Sequence, residues 1–184
     1  MIKPIYIFGA PVLRKVAEDI TPDYPNLEQL IADMFETMAH SDGIGLAAPQ
    51  VGLSIRLFVV DCSPLEEDHP ELKDFKKVFL NAHIIERSGE VKLYNEGCLS
   101  IPGLREDVNR ESTILMKYVD ENFVSYEEQF DGVVARVIQH EYDHLDGILF
   151  PDRLSNIKKQ IIKGKLQGIS KGRFSANYRY KLAL

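Results

Sequence analysis

The stretch Gln139-His140-Glu141-Tyr142-Asp143-His144 lies near the end of a run with helical periodicity that begins close to Asp131. On a helix, two histidines four positions apart lie one above the other, so both imidazoles can reach one metal ion. Glu141 is rotated away from them, where it can transfer a proton instead of binding the metal. The stretch predicts a central helix that holds a divalent metal for hydrolysis of an amide-type bond. The alternative is two histidines on an ordinary core or surface helix.

The same helix has two apolar stripes. At about 100° per residue, the histidines share one narrow stripe with Val133 and Val137. A second, adjacent stripe contains Val134, Ile138 and Leu145, and we expect it to pack on a β-sheet.

The segments around this helix predict an α+β domain. Apolar residues at positions 27–38 trace one face of a first helix, with Asn26 and Gln29 placed as an N-terminal capping pair. A last helix is expected over residues 154–166. Strand-like runs lie between them, at residues 55–60, 78–86, 90–94, 113–119 and 123–130. This order predicts small mixed or antiparallel sheets packed around the central helix, with N-terminal and C-terminal helices beside them.

Length and composition limit the class of protein. The 184 residues suffice for one sizeable core, with 45% hydrophobic and 27% charged residues. We expect a single catalytic domain over residues 1–168 and a basic tail over residues 169–184. No apolar run approaches the ~20 residues that cross a bilayer, and no secretory signal is visible. Two cysteines are too few for a disulfide framework, so the sequence predicts a cytoplasmic protein with free thiols and no membrane partner.

The third metal ligand has to come from another part of the chain. No glutamate follows Glu141, and a longer histidine motif would place its last ligand at Phe150, which cannot bind a metal. Both common zinc-protease patterns therefore lack a required residue. Asp146 and Asp152 remain as weak downstream candidates.

The upstream candidates are two cysteines and three histidines. Cys98 lies among glycines and a proline that hold the backbone in a defined turn, which suits a fixed ligand. Cys62 follows a strand-like run and is expected to be a small buried residue. His40, His69 and His83 are expected to be structural or exposed. Cys98 with the two helix histidines would leave a fourth position for water, as in catalytic sites, although these ligand types do not separate zinc from ferrous iron.

Three separated segments resemble the signature motifs of bacterial peptide deformylase. They are residues 43–50 (Gly-Ile-Gly-Leu-Ala-Ala-Pro-Gln), residues 96–100 (Glu-Gly-Cys-Leu-Ser) and residues 139–144. Their order and spacing also match, and the resemblance extends to about Phe150. It implies removal of the formyl group from nascent polypeptides that begin with formyl-methionine, with release of formate.

The resemblance also implies the role of each site residue. The metal would be one divalent ion, most commonly Fe²⁺, with Zn²⁺, Ni²⁺ or Co²⁺ able to take its place. Cys98, His140 and His144 match the family's metal ligands. Glu141 matches the general base and acid, while the Gln50 side chain and the Leu99 backbone N–H match the donors to the developing oxyanion.

A substrate cleft follows from the same resemblance. Ile44-Gly45 on one side and Gly97 on the other match the walls between which the peptide binds as an added strand. Val137 lies about one turn and Val133 about two turns before His140 on its stripe, so we expect them to line an apolar pocket for methionine.

Two arginines and one glutamate surround this region. Glu96 and Arg110 resemble the family's supporting ion pair behind the cysteine turn. Arg136 lies close to the valine stripe, and we expect its guanidinium to swing to solvent while its stem packs.

Charge is unevenly distributed along the chain. The formal net charge is −6, but residues 153–184 contain nine basic residues and no acidic one. For an enzyme of nascent chains, this segment predicts docking on the ribosome surface through phosphate contacts. The alternative is a solvated helix end and tail.

Two other functions remain compatible with the sequence. One is a related metal-dependent amidase or peptidase, such as an aminoacylase, with the same three ligands. The other is a metal-binding module of the same fold without catalysis, against which the presence of Glu141 argues.

Overall fold

The structure is a computed structural model that describes residues 1–183. It contains three α-helices, α1 (Leu27–His40), α2 (Gly132–Leu145) and α3 (Asn156–Ser170). The strands are β1 (Ile5–Tyr6), β2 (Gly45–Ala47), β3 (Leu57–Asp61), β4 (Lys76–Cys98), β5 (Ile101–Val119), β6 (Ser125–Asp131) and β7 (Tyr180–Lys181).

The strands form two sheets. Five of them make an antiparallel sheet in the order β2-β3-β4-β5-β6, while β1 and β7 pair in parallel as a separate two-stranded sheet. Strands β4 and β5 form a long hairpin, of which only the first residues of β4 also pair with β3. The predicted α+β fold, with an antiparallel sheet, an N-terminal helix, the helix that carries the two histidines and a C-terminal helix, is confirmed.

Helix α2 packs on this sheet with the stripe that the sequence predicted. Val134, Ile138 and Leu145 are all buried, in one core cluster with Phe58 and Phe79 of the sheet. Burying side chains of this size stabilises the fold by about 1.5–3 kcal/mol each. The histidine face of α2 is thereby turned toward the hairpin of β4 and β5.

Gly147 ends α2. Its φ of +70° is in the left-handed region, where the Gly147 N–H donates to His144 O and the Ile148 N–H donates to Asp143 O over 2.9 Å. A Cβ at this position would lie 2.7 Å from the carbonyl oxygen of Arg14. The glycine next to the histidine motif is therefore a helix terminator, and it is not part of a longer metal-binding motif.

Two local predictions were wrong in part. Asn26 occupies the N-cap position of α1, as predicted, but it has a φ of 55° and its side chain makes no capping hydrogen bond, while Gln29 donates to Asp33 within α1. The runs at 78–86 and 90–94 belong to one strand, β4, because the apparent turn between them is a β-bulge at Gly89, where the register shifts against β5.

The end of the chain folds back on its beginning. Helix α3 runs across Gly168 to Ser170, and β7 then pairs with β1, with the Ile5 N–H donating to Arg179 O over 2.9 Å. The division between a catalytic domain and a tail at Gly168 stays a prediction. No helix among residues 1–183 is long and apolar enough to cross a membrane.

Candidate active site

Three side chains from two elements meet at one point. Cys98 ends β4, while His140 and His144 lie one turn apart on α2, and one ligand atom from each lies within 4.8 Å of the others. Cys98 Sγ is 3.4 Å from His144 Nε2. One thiolate and two imidazoles are ligands suited to zinc and to other divalent transition metals, so these residues fit the predicted metal.

The two imidazoles are oriented differently. His140 Nδ1 lies 3.2 Å from Glu96 Oε2, which turns Nε2 toward Cys98, as in many metal sites that have a carboxylate behind a histidine. Burial lowers the pKa of His140, but hydrogen bonds to Cys98 and Glu96 outweigh it and raise the pKa. Burial and the neighbouring His140 hold the pKa of His144 well below its usual range. A bound cation would favour the neutral form of both rings.

The other candidate ligands lie elsewhere. Asp146 binds Arg56 over 2.9 Å and Asp152 binds Arg14, so both downstream aspartates already have cationic partners. Cys62 is fully buried, as predicted, in the core cluster under the sheet. Both cysteines are free thiols.

Glu141 is buried beside the three ligands. Its Oε2 is inaccessible to solvent and has no hydrogen-bond partner among residues 1–183. Burial raises the pKa of Glu141 to about 7. β2 also approaches Glu141 closely, since a Cβ added to Gly45 would be 2.7 Å from Glu141 Cδ. Only glycine lets the backbone come this close to the carboxylate.

Gln50 is held by its own turn and directed at the cysteine. It lies in a 3₁₀ turn, Ala48–Val51, and is 2% exposed. Its Oε1 accepts the Ala47 N–H over 2.9 Å, which leaves Nε2 facing Cys98 Sγ at 3.5 Å and Ser100 Oγ at 3.3 Å. The turn contact therefore fixes which end of the amide faces the site.

A buried ionic network supports the ligands from behind. Glu96 accepts two hydrogen bonds from Arg110, at 2.7 and 2.9 Å, in addition to its contact with His140. Arg110 also donates to Asp143, which accepts two further bonds from Arg153. Burial raises the pKa of Glu96, but the hydrogen bonds from His140 and Arg110 hold it well below its usual range.

Arg136 is part of this network, so the expectation that it swings to solvent was wrong. It is 9% exposed and donates to Glu96 Oε1, to Val108 O at 2.8 Å and to Lys92 O at 2.6 Å. The guanidinium therefore joins Glu96 to backbone carbonyls of both β4 and β5.

An open cleft of about 630 Å³ lies over the centre. Its walls include most of the predicted substrate-binding residues, namely Ile44, Gly45, Gly97 and Val137, together with Gln50, Cys98, Leu99, His140 and Glu141. Val133, also predicted to face the substrate, is not among the lining residues and packs against the core cluster.

Residues 175–178 of the C-terminal segment also line the cleft, and no signal in the sequence predicted this. The Tyr178 hydroxyl donates to Leu99 O over 2.6 Å. Burial and the nearby Cys98 raise the pKa of Tyr178 to about 12, so its hydroxyl stays protonated and can donate.

A buried carboxylate beside a three-ligand cluster, at the base of an open cleft, is typical of metal-dependent hydrolases. The model of the family described as polypeptide deformylase matches residues 2–160. This chain belongs to that family, whose members are hydrolases that act on a linear amide C–N bond.

Relatives cover essentially the whole chain. A peptide deformylase of Flavobacterium johnsoniae is 53% identical over an alignment 190 residues long. The alignment covers 100% of this chain and 97% of that protein. The crystal structure of the Thermotoga maritima peptide deformylase is 41% identical, with a TM-score of 0.76 over 84% of this chain and 99% of its own. A peptide deformylase of Arabidopsis thaliana is 32% identical, with a TM-score of 0.82 over 96% and 97% of the two chains.

Proposed function

We propose that this chain removes the N-formyl group from the formyl-methionine of nascent polypeptides and releases formate. The family supports a formyl-removing hydrolase. One observation supports the assignment of roles to residues. Glu141 has a buried carboxylate oxygen with no hydrogen-bond partner in residues 1–183, and it lies next to Cys98, His140 and His144. Such an atom is an unmet acceptor, which a donor bound in the cleft would satisfy.

Cys98, His140 and His144 would hold one divalent metal, with Fe²⁺ as our choice for the cell and Zn²⁺, Ni²⁺ or Co²⁺ as substitutes. When bound, such a metal acts as a Lewis acid and lowers the pKa of a water molecule. Anaerobic purification followed by metal analysis tests the choice of metal.

Glu141 is proposed to move the proton. It takes a proton from the attacking water, whose oxygen forms a bond to the formyl carbon. The carboxylic acid then passes that proton to the amide nitrogen as the C–N bond breaks, which gives formate and a free α-amine.

Gln50 and Leu99 are proposed to stabilise the negative charge that develops on the formyl oxygen. The Gln50 amide is held by the Ala47 N–H, so its Nε2 end already faces the site beside Cys98 and Ser100 before a substrate binds. The backbone N–H of Leu99 would provide the second donor from the other side of Cys98.

The peptide is proposed to bind as an extended strand between two open edges. β2, which contains Gly45, is an edge strand of its sheet. The end of β4, which contains Gly97, pairs only with β5 and so has one open side. Main-chain hydrogen bonds to these edges would accept many sequences. Val137 beside His140 would contact the methionine side chain, and a contribution of Val133 stays a prediction.

Replacement of Glu141 by glutamine tests the proposal. We expect formate release from a formyl-Met peptide to fall by about 10²- to 10⁴-fold, because the amide cannot take a proton, while the metal content stays the same. Glu127→Gln, on the exposed face of β6, is the matched control. A native rate in Glu141→Gln would falsify the assignment of the base.

The same assay separates the alternatives. A metal-dependent amidase or peptidase would cleave internal or other acyl amides, whereas a deformylase releases formate and leaves peptide bonds intact. A metal-binding module without catalysis would release no formate from any substrate.

The basic segment after residue 153 is proposed to dock on the ribosome surface. Lys159, Lys163 and Lys165 project from α3 into solvent and have no acidic partner within residues 1–183. Two other basic residues of the segment are already paired, since Arg153 binds Asp143 and Lys158 binds Glu106. The three exposed lysines of α3 therefore belong to the charged part of the proposed docking surface, together with the exposed Lys171, Arg173, Arg179 and Lys181.

A further inference from the structure

The turn between β4 and β5 contains the proposed oxyanion donor at Leu99. Its first residue, Cys98, pairs with Ile101 across the turn. The carbonyl of Ser100 accepts the Phe8 N–H over 2.8 Å. The carbonyl of Leu99 accepts a hydrogen bond from the Tyr178 hydroxyl over 2.6 Å. Contacts from both ends of the chain thus hold this turn.

Tyr178 is itself firmly placed. It precedes β7, whose pairing with β1 includes the bond from the Ile5 N–H to Arg179 O. Its ring is half-buried and packs, together with Leu99, against the hydrophobic cluster that α1 shares with β2, β3 and the start of β4. Tyr178 also lies beyond residues 2–160, the part of the chain that the family model matches.

We infer that Tyr178 is a positioning residue for deformylation, which holds the Leu99 carbonyl and thereby orients the Leu99 N–H toward the formyl oxygen. This inference rests on the proposed function of Leu99. Tyr178 acts through the backbone of the turn and does not touch the reacting atoms.

The physical reason is the rigidity of peptide units. The N–H and C=O of Leu99 belong to two planar units that share only the Leu99 Cα. Fixing the carbonyl unit with a buried hydroxyl restricts rotation about that carbon, and so narrows the directions in which the N–H can point. A donor to a developing charge contributes most when it is fixed beforehand.

Tyr178→Phe tests the inference because it removes one oxygen and keeps the ring that packs on the hydrophobic cluster. We expect kcat for a formyl-Met peptide to fall about 5- to 10-fold, the equivalent of one ordinary hydrogen bond, with KM changed less than about twofold. Tyr180→Phe is the matched control, since its hydroxyl makes no hydrogen bond to any residue in 1–183. The control should keep the wild-type kcat.

A second measurement separates positioning from general stability. Hydrogen exchange in a peptide that covers residues 97–101 should be faster in Tyr178→Phe than in wild type, while exchange in the rest of β4 and in α2 stays the same. Metal content should also be unchanged. A kcat within twofold of wild type, unchanged exchange at the turn, or loss of metal together with global unfolding would each overturn the inference.

Failure of the underlying function gives a different pattern. If wild-type protein with bound metal releases no formate, the proposed function is wrong, and the exchange measurement still decides whether Tyr178 holds the turn. If wild type is active and Tyr178→Phe equals it, only the inference about Tyr178 is wrong.

Discussion

At Gly45, the absence of a side chain sets how closely β2 approaches Glu141. An added methyl group would lie 2.7 Å from the glutamate Cγ and Cδ, which forces one of the two to move. We expect Gly45→Ala to lower kcat for formyl-Met peptide by at least about tenfold, because the proposed base is displaced from its place in the cleft. Steady-state kinetics with metal analysis measures the effect.

Gly164 provides the control for this substitution. It lies within α3 with no heavy atom within 4 Å of an added Cβ, so Gly164→Ala should keep full activity and stabilise the helix by about 0.5–1 kcal/mol. Equal activity of the two variants would show that the close approach at Gly45 has no catalytic consequence.

The site residues differ in how far the sequence could predict them. The two histidines follow from helical spacing alone, and Cys98 follows from its turn after the downstream candidates are excluded. Gln50 required the family resemblance, because its local pattern is that of a turn-capping residue. Tyr178 gave no signal, since its contact with Leu99 joins residues far apart in sequence. The burial of Arg136 depends on contacts with Glu96, Lys92 and Val108, which are far from it in sequence and which a local pattern does not show.

The buried ionic network around Arg110 links β4 to α2. Its guanidinium, 2% exposed, binds Glu96 and Asp143, so Arg110→Ala would leave two buried carboxylates short of donors. We expect a loss of about 3–5 kcal/mol in the free energy of unfolding, measured by denaturant titration.

An exposed ion pair of the same sheet is the control for Arg110. Lys117 and Glu127 pair on the solvent face of β5 and β6, with side chains 64% and 53% exposed. Lys117→Ala should cost less than about 1 kcal/mol. Comparable losses in both variants would mean that the buried network contributes little to stability.

Strands β4, β5 and β6 share a second ionic contact, which gives an expected pH dependence. Burial raises the pKa of Glu128, but hydrogen bonds from Lys77 and Tyr118 hold it below its usual value of 4.5. Its contribution to stability is therefore present above pH 4.5 and is lost as the pH falls through the folded-state pKa. We expect Glu128→Gln to be less stable than wild type near neutral pH, with the difference shrinking under acid.

Thermal unfolding of both proteins at a series of pH values measures this effect. Glu127→Gln, one residue away on the exposed face, is the control and should show little of it. A stability difference for Glu128→Gln that stays constant down to acid pH would contradict the prediction.

The elements themselves were predicted to different degrees. The helices could be predicted from apolar periodicity, because each buries one apolar face. β2 lies in a segment rich in glycine, so the sequence pattern indicates a loop there. The segment is a strand because it pairs with β3, and that contact cannot be seen in the local sequence. The sequence did not predict the first half of β5, because its many charged residues are not typical of a buried strand. These residues are tolerated since one face of the long hairpin is exposed to solvent.

Over the whole molecule, the charge of α3 leads to a test of ribosome docking. Changing Lys159, Lys163 and Lys165 together to glutamate should weaken binding to ribosomes strongly and reduce the steepness of its salt dependence. Sedimentation with ribosomes at several salt concentrations measures both. This variant keeps Tyr178 and β7, which deletion of the whole segment would remove.

A variant with the same change of charge elsewhere is the control. Lys15, Lys73 and Lys92 are exposed on other parts of the surface, and their replacement by glutamate should affect ribosome binding much less. Equal weakening by both variants would indicate attraction by net charge alone, and salt-independent binding would exclude the proposed phosphate contacts.

The parallel pairing of β1 with β7 has a consequence for the order in which the protein is made. A ribosome synthesises residue 5 long before residue 180, so β1 stays without its partner strand until residues 180 and 181 have been translated. The wall formed by residues 175–178 then closes over a metal cluster whose ligands were all made earlier. A chain halted before residue 175 would have every proposed metal ligand and lack the hydroxyl that holds Leu99. Full activity is therefore expected only after residues 175–181 have been translated.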